Sequence, residues 1–213
     1  DYFLFCPNGG FFNFKKKEIC RLKGGSFKCF ITNCDKKNYF IKLYRYLRFT
    51  IQDIIVHRNN NNIHFIALNN IQEELVKTKF KSNVSILKNK IPVKSFISFS
   101  KLKKNNSIIY VGRHDVEKGI DVIKFIDTRF NVITVGGSIK DKLKNIKSYE
   151  WVKNENDLSS LLNKSRVGIF PSIWFEADPL TPWEMLSKGI PVVASGENLF
   201  GQYLKKYIPE LVF

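Results

Sequence analysis

From residue 107 onward, short apolar runs alternate with stretches of helical spacing, and this alternation constrains the fold more than any other feature. Ser107–Val111, Asn131–Val135, Tyr149–Val152, Arg166–Phe170 and Pro191–Ala194 are too short for helices and rich in β-branched residues, so they read as strands. Between and after them, Glu117–Thr128, Glu155–Asn163, Thr181–Lys188 and Phe200–Tyr207 read as helices. In the first of these, Ile120, Ile123 and Ile126 recur on one side; Gly189 closes the third. Strands that are apolar throughout, each followed by a helix, argue for an α/β fold with a parallel sheet and helices on both faces. Ligands of such sheets sit beyond the carboxyl ends of the strands. The loops to inspect are therefore 112–118, 136–139 and 171–181.

The first half reads less clearly. Tyr39–Val56 suits a basic helix, Asn59–Asn62 a polar loop, Ile63–Leu68 a strand and Val84–Leu87 another. Asn69 or Asn70 is placed to cap a helix over Ile71–Lys79. Pro92–Asn106, rich in Lys and Ser, reads as a linker, which divides the chain into residues 1–92, a linker at 93–106, and residues 107–213. The chain lacks an initial Met and ends on the apolar run Glu210–Phe213, so both ends are expected to be cut from something longer.

The formal net charge is +16, which suits a polyanion, an anionic membrane or a phosphorylated ligand. The lysines are scattered and no nucleic-acid-binding signature accompanies them, so no nucleic-acid partner is expected. No run of about 18 apolar residues is present, so no transmembrane helix is expected. Cys6, Cys20, Cys29 and Cys34 lack the paired spacing of common zinc sites. Without a secretory signal, reduced core thiols are the default over zinc or disulfides.

Three stretches carry candidate chemistry. In Val111–Ile120, Gly112 ends a strand, and Arg113 and Lys118 flank the start of the next helix. Two cations at a helix N-terminus suit a diphosphate, although an ordinary strand-to-helix turn needs no ligand. In Phe170–Leu186, Glu176 lies in a loop and Glu184 near the start of a helix. A carboxylate accepts two hydroxyl hydrogen bonds at once, which suits a vicinal diol. Glu184 has a structural explanation: Thr181-Pro182-Trp183-Glu184 spells a capping box. Glu176 has no such duty. Trp174, Phe175 and Trp183 suit a core better than a ligand. Val135-Gly-Gly-Ser138 either admits a ligand close to the backbone or is a plain turn.

Taken together, Gly112-Arg113 with Glu117-Lys118-Gly119, the E-x7-E pair Glu176 and Glu184, and Gly189-Ile-Pro-Val-Val-Ala194 resemble the family 4 retaining glycosyltransferases. Asp1–Pro7, the later cysteines and Phe65–Asn69 resemble the second half of that family's acceptor-side domain. The resemblance implies a GT-B fold, in which two Rossmann-like domains face across a cleft. Residues 107–213 would be an incomplete donor-binding domain and residues 1–92 part of the acceptor domain, with an upstream histidine and final helices lying outside the segment. It further implies that Gly112, Arg113 and Lys118 meet the donor diphosphate and Glu184 the ribose. Glu176 would be the catalytic-site contact to the transferred sugar, and Pro179, Leu180 and Thr181 would line the donor site by their backbone. No metal or other cofactor is implied. The partners implied are a nucleotide sugar and a sugar or lipid-linked acceptor; the basic surface would then favour peripheral docking at an anionic membrane face from the cytoplasm. Ala177-Asp178 stand where the family usually has a glycine, so the loop conformation is not carried over. The fragment alone is not expected to be active. The competing readings are a non-enzymatic basic module binding nucleic acid or anionic membrane, and a phosphorylase or nucleotide-sugar hydrolase on the same fold.

Overall fold

The structure, a computed structural model, describes residues 2–91, 96–139, 144–152 and 154–213. The chain forms two compact units. One comprises Asp1–Asn89 with Trp174–Asp178, the other Lys90–Ile173 with Pro179–Phe213.

The N-terminal unit begins with an antiparallel pair, β1 (Phe12–Asn13) and β2 (Glu18–Ile19), then the short helix α1 (Phe27–Ile31) capped by Ser26. A 20-residue helix, α2 (Tyr39–Arg58), starts where the Asn38 side chain accepts from the Ile41 N–H. Asn60–Asn62 form a 3₁₀ turn rather than open loop. Then β3 (Phe65–Ala67), α3 (Asn70–Phe80) and β4 (Val84–Ile86) make a parallel βαβ unit. Asn69 is the cap of α3, its side chain accepting from the Gln72 N–H. Tyr2, Phe12, Phe49 and Phe80 are buried in this unit.

Lys42 on α2 is fully buried, its Nζ 3.3 Å from Cys29 Sγ. Burial alone would lower its pKa, but the nearby Cys34 and Cys29 sulfurs outweigh that and hold it raised. Burial pushes the Cys34 thiol up to about 11. The four thiols are free, and among the described residues no group of three or more potential ligands is arranged to hold a metal ion.

In the C-terminal unit α4 (Phe99–Lys104) leads into β5 (Ser107–Val111). β6 (Asn131–Val135), β7 (Ile146–Tyr149), α5 (Glu155–Asn163), β8 (Val167–Phe170), α6 (Leu180–Ser187), β9 (Val192–Ala194) and α7 (Leu199–Tyr207) follow. The five strands form one parallel sheet in the order β7-β6-β5-β8-β9. Val212 bridges Ala194 in parallel, so the final residues begin a sixth position at that edge.

Alternation along the strands makes two cores. Ile109, Val111, Ile133, Val135 and Phe170 meet Leu102, Leu161, Met185, Phe200 and Leu204 of α4 to α7 on one face. Tyr110, Val132 and Ile169 meet Ile120 and Ile123 on the other. β5 to β6 steps one way along the sheet and β8 to β9 the other, so right-handed crossovers put the two connections on opposite faces. Ile97 and Leu102 belong to the first core, and the Ile97 N–H donates to the Lys188 carbonyl at 2.8 Å. Residues 97–104, within the stretch expected as a linker, are thus packed structure; residues 92–95 lie outside the described residues.

Three sequence expectations are corrected. Residues 117–128 do not form one α-helix. Val116–Lys118 and Ile120–Phe125 are separate 3₁₀ segments broken at Gly119, whose φ is +72°. A recurrence of three residues is the 3₁₀ period, so Ile120 and Ile123 line up on the sheet without an α-helix. The third strand of this sheet in chain order is Ile146–Tyr149, not Tyr149–Val152. It stops at Tyr149 because the amides of Gly136 and Gly137 both turn to donate to the Tyr149 carbonyl. Thr181 is not an N-cap. α6 starts at Leu180 after Pro179, no side chain caps it, and Thr181 is already helical. Pro182 fits in that first turn, where its missing N–H costs nothing.

Candidate functional site

The order β7-β6-β5-β8-β9 reverses direction between β5 and β8, which makes that boundary the topological switch point where open parallel sheets bind ligands. The loops after β5, β6 and β8 converge there. A Cβ on Gly136 would collide with the Gly112 carbonyl, and one on Gly137 would lie 3.1 Å from the His114 ring. A Cβ on Gly119 would collide with the Pro171 carbonyl, so only glycine permits that approach. The Ile173 N–H donates to the Glu117 carbonyl at 3.1 Å and stitches the β8 loop to the β5 loop.

Within this edge, the Tyr110 hydroxyl donates to the Arg113 carbonyl at 2.6 Å and fixes the turn that presents Arg113. The Arg113 guanidinium is more than half exposed and pairs with Asp115 at 3.0 Å. Lys118 ends the first 3₁₀ segment and is half-buried. That segment has only three residues, so no α-helix dipole adds to the charges of these two cations. Glu117 between them is buried. Burial lowers the pKa of His114, while the Ser138 backbone and Glu150 oppose it. Its imidazole is therefore held below its ordinary value.

Across the switch point, Pro179, Leu180 and Thr181 form the entry to α6, which among the described residues has no side-chain cap. Glu184 lies one turn in. With the capping box absent, its structural explanation is gone, and among the described residues its carboxylate takes no hydrogen bond or ion pair.

Glu176 is placed differently. The loop Trp174–Asp178 belongs to the N-terminal unit. Phe175 packs on Tyr2 and Phe11, with centroids at 5.3 and 6.1 Å. Trp174 covers Gly10, where a Cβ would lie 2.6 Å from the indole. These aromatics are packing groups, as expected. Glu176 lines a cavity of about 220 Å³ together with Tyr2, Leu68, Trp174, Phe175 and Asp178. Tyr2 is 1% exposed and burial pushes its phenol up to about 12, partly offset by the Asn69 side chain. Gly112, Arg113, Lys118, Pro179, Leu180, Thr181 and Glu184 thus share one unit, and Glu176 lies in the other.

Two supporting residues escaped sequence reasoning. Asn198 is fully buried; its Oδ1 accepts from the Gly201 N–H at 2.8 Å and its Nδ2 donates to the Ser172 carbonyl at 2.7 Å. The signal was an Asn directly before an amphipathic run, the mark of an N-cap. Asn89 has no comparable signal, because its partner Asp178 is distant in sequence.

The family model for glycosyl transferases group 1 matches residues 93–213. No curated protein matches the chain by sequence. Among solved structures, the chain is similar to TarM, with a TM-score of 0.56 and 18% identity over 68% of this chain and 32% of that one. A point mutant of S. aureus TarM has also been solved in complex with fondaparinux, alpha-GlcNAc-glycerol and UDP. A glycosyltransferase from Rickettsia africae ESF-5 gives 0.51 and 16% over 68% and 48%. The lipopolysaccharide outer core galactosyltransferase WaaB in its apo form gives 0.50 and 20% over 62% and 42%. The chain therefore spans about a third to a half of the length of these proteins. With the parallel sheet, these likenesses fix the fold as α/β of the GT-B type. A family match over more than half the chain, on the sheet whose loops build the candidate site, means that this chain belongs to the glycosyl transferases group 1 family.

Proposed function

We propose that the chain is part of a family 4 enzyme that moves a hexosyl group from a nucleotide-diphosphate sugar to a sugar or lipid-linked acceptor. In this reading the anomeric configuration is retained and the product belongs to polysaccharide or glycan biosynthesis. One observation carries the reading: the loops after β5, β6 and β8 meet at the switch point and bring Arg113 and Lys118 to it. The two cations neutralise the diphosphate, a role that charge-assisted hydrogen bonds fill well. They supply the charge that a metal ion would otherwise bring, so the proposal includes no metal. Gly112 lets the donor approach the backbone, and in the turn that follows Pro179 the Leu180 and Thr181 N–H groups are offered to its oxygens. The Glu184 carboxylate, without a partner among the described residues, accepts from the ribose diol. Glu176 accepts from the transferred sugar.

The acceptor reaches the enzyme at the cytoplasmic face of an anionic membrane. This part of the proposal rests on the net charge of +16 and on α2, where Phe40, Tyr44, Leu47 and Ile51 are exposed at helical spacing beside Arg45 and Arg48.

The test is Glu184→Gln in the longest natural form of the protein. α6 has no capping box to lose, so the fold should be kept. Losing a charged acceptor for two hydroxyls should weaken binding of the cognate nucleotide sugar by about 10- to 100-fold. A panel of nucleotide sugars, read by binding and turnover, decides it; unchanged affinity would remove Glu184 from the ribose.

A further inference from the structure

Glu176 sits in a loop with no secondary structure of its own, yet it is bracketed on both sides. Before it, Phe175 is wedged against Tyr2 and Phe11, and Trp174 lies on Gly10. After it, the Asn69 side-chain Nδ2 donates to the Ala177 carbonyl. Two residues on, the Asn89 Nδ2 donates to Asp178 Oδ2 at 2.9 Å, and the Asn89 backbone N–H approaches the same oxygen at 3.3 Å. All these groups belong to the N-terminal unit.

Besides its interaction with the Tyr2 phenol, Asn69 makes two hydrogen bonds to backbone. Its Oδ1 caps α3 through the Gln72 N–H at 2.8 Å, while its Nδ2 holds Ala177. A helix N-cap is among the more rigid points of a chain, because its backbone and side chain are both fixed by the first turn. The loop is thereby tied to the start of α3. Asn89, just after β4, ties it a second time. The cavity that Glu176 lines is bounded by residues on both sides of this clamp: Leu68 precedes Asn69, and Asp178 is the partner of Asn89. At about 220 Å³ it lies below the range of roughly 300–1,000 Å³ typical of drug-sized ligands, so it admits a single small ring.

We infer that Asn69 and Asn89 are positioning residues for Glu176, holding its carboxylate at the wall of that cavity. This rests on the proposed sugar-binding role of Glu176. The Asn69 contact is part-buried and the Asn89 contact exposed, so Asn69 dominates.

Asn69→Asp separates the two duties of Asn69. Aspartate caps a helix as well as asparagine does, but it cannot donate to the Ala177 carbonyl. Asn89→Ala removes the second tie. In the full chain, hydrogen–deuterium exchange of residues 171–180 should rise in Asn69→Asp and less in Asn89→Ala, with exchange of α3 unchanged. Since a small misplacement of a substrate-positioning group is enough to cost up to about 100-fold, turnover of the cognate nucleotide sugar should fall about 10-fold or more in Asn69→Asp and about 3-fold in Asn89→Ala. Affinity for the cognate nucleoside diphosphate should stay at the parent level. The exchanged pair Asn89→Asp with Asp178→Asn reverses donor and acceptor and should recover turnover relative to Asn89→Asp alone.

Unchanged loop exchange in Asn69→Asp would overturn the clamp whatever the enzyme does. Loosened exchange with parent-level turnover would overturn the positioning role. A parent protein that turns over no nucleotide sugar would overturn the donor reading and the role of Glu176 with it, and the exchange data alone would still show whether the clamp exists.

Discussion

The two units keep their shape by different means. In the C-terminal unit a five-stranded parallel sheet is covered on both faces, and Ile109, Val135 and Val192 are completely buried. The N-terminal unit has only two pairs of short strands among the described residues. Its order comes from aromatic pairs, asparagine caps and the sulfur-lined Lys42, while α2 leaves Phe40, Tyr44, Leu47 and Ile51 exposed. A sheet core is a collective property, so one strand residue feels its loss everywhere. A unit joined by separate contacts can lose one and keep the rest.

This contrast is sharpest for paired truncations. Ile109→Ala should cost the C-terminal unit about 3–4 kcal/mol, since it opens a cavity in the middle of the sheet. Leu47→Ala, on the exposed stripe of α2, should change stability by about 0.5 kcal/mol or less. Denaturant unfolding followed separately at Trp151 and Trp183 in one unit and Trp174 in the other checks both. Comparable losses would mean that the exposed stripe is buried in solution.

Next in size is Gly10→Ala, which places a methyl against the Trp174 ring. Overpacking of this kind costs about 1–3 kcal/mol. Because the N-terminal unit is joined contact by contact, the loss should stay local. Trp174 fluorescence should shift to the red, with no change at Trp151 or Trp183; a shift at all three would show the units to be one cooperative body.

Asn198→Ala should cost about 1–2 kcal/mol, from a lost helix cap and an unpaired Ser172 carbonyl. Exchange of the α7 amides should rise most. A change confined elsewhere would show that the cap is dispensable.

The smallest effect concerns pH. The folded-state pKa of His114 lies below its unfolded value, so the unfolded chain binds the proton more readily. Stability from this group is fully present above the unfolded value of about 6.5 and is lost as pH falls through the lower folded value. Acidification should therefore destabilise the C-terminal unit, and His114→Phe should flatten that part of the profile. Identical profiles would show that the imidazole is not desolvated.

The same division governs what was legible in advance. β5, β6, β8 and β9 fall within a residue of their expected places, because four or five consecutive apolar, largely β-branched residues have few alternatives to a buried strand. The 3₁₀ segment is not legible in the sequence because Ile120, Ile123 and Ile126 satisfy a helical pattern and a three-residue period equally well. Only Gly119, turned against the Pro171 carbonyl, separates the two. The capping box failed because Pro179 sets the helix start one residue ahead of Thr181.

The sequence by itself determined the parallel sheet of the C-terminal unit, the loops at its carboxyl edge, and the identity of Arg113, Lys118, Glu176 and Glu184 as candidates. These follow from local pattern, since hydrophobic period and glycine placement act over a few residues. Tertiary structure alone decided that Glu184 has no capping duty and that the loop bearing Glu176 is held by Tyr2, Gly10, Asn69 and Asn89. Those partners lie far from the loop in sequence, and no local propensity records a contact that forms only once distant segments of the N-terminal unit come together.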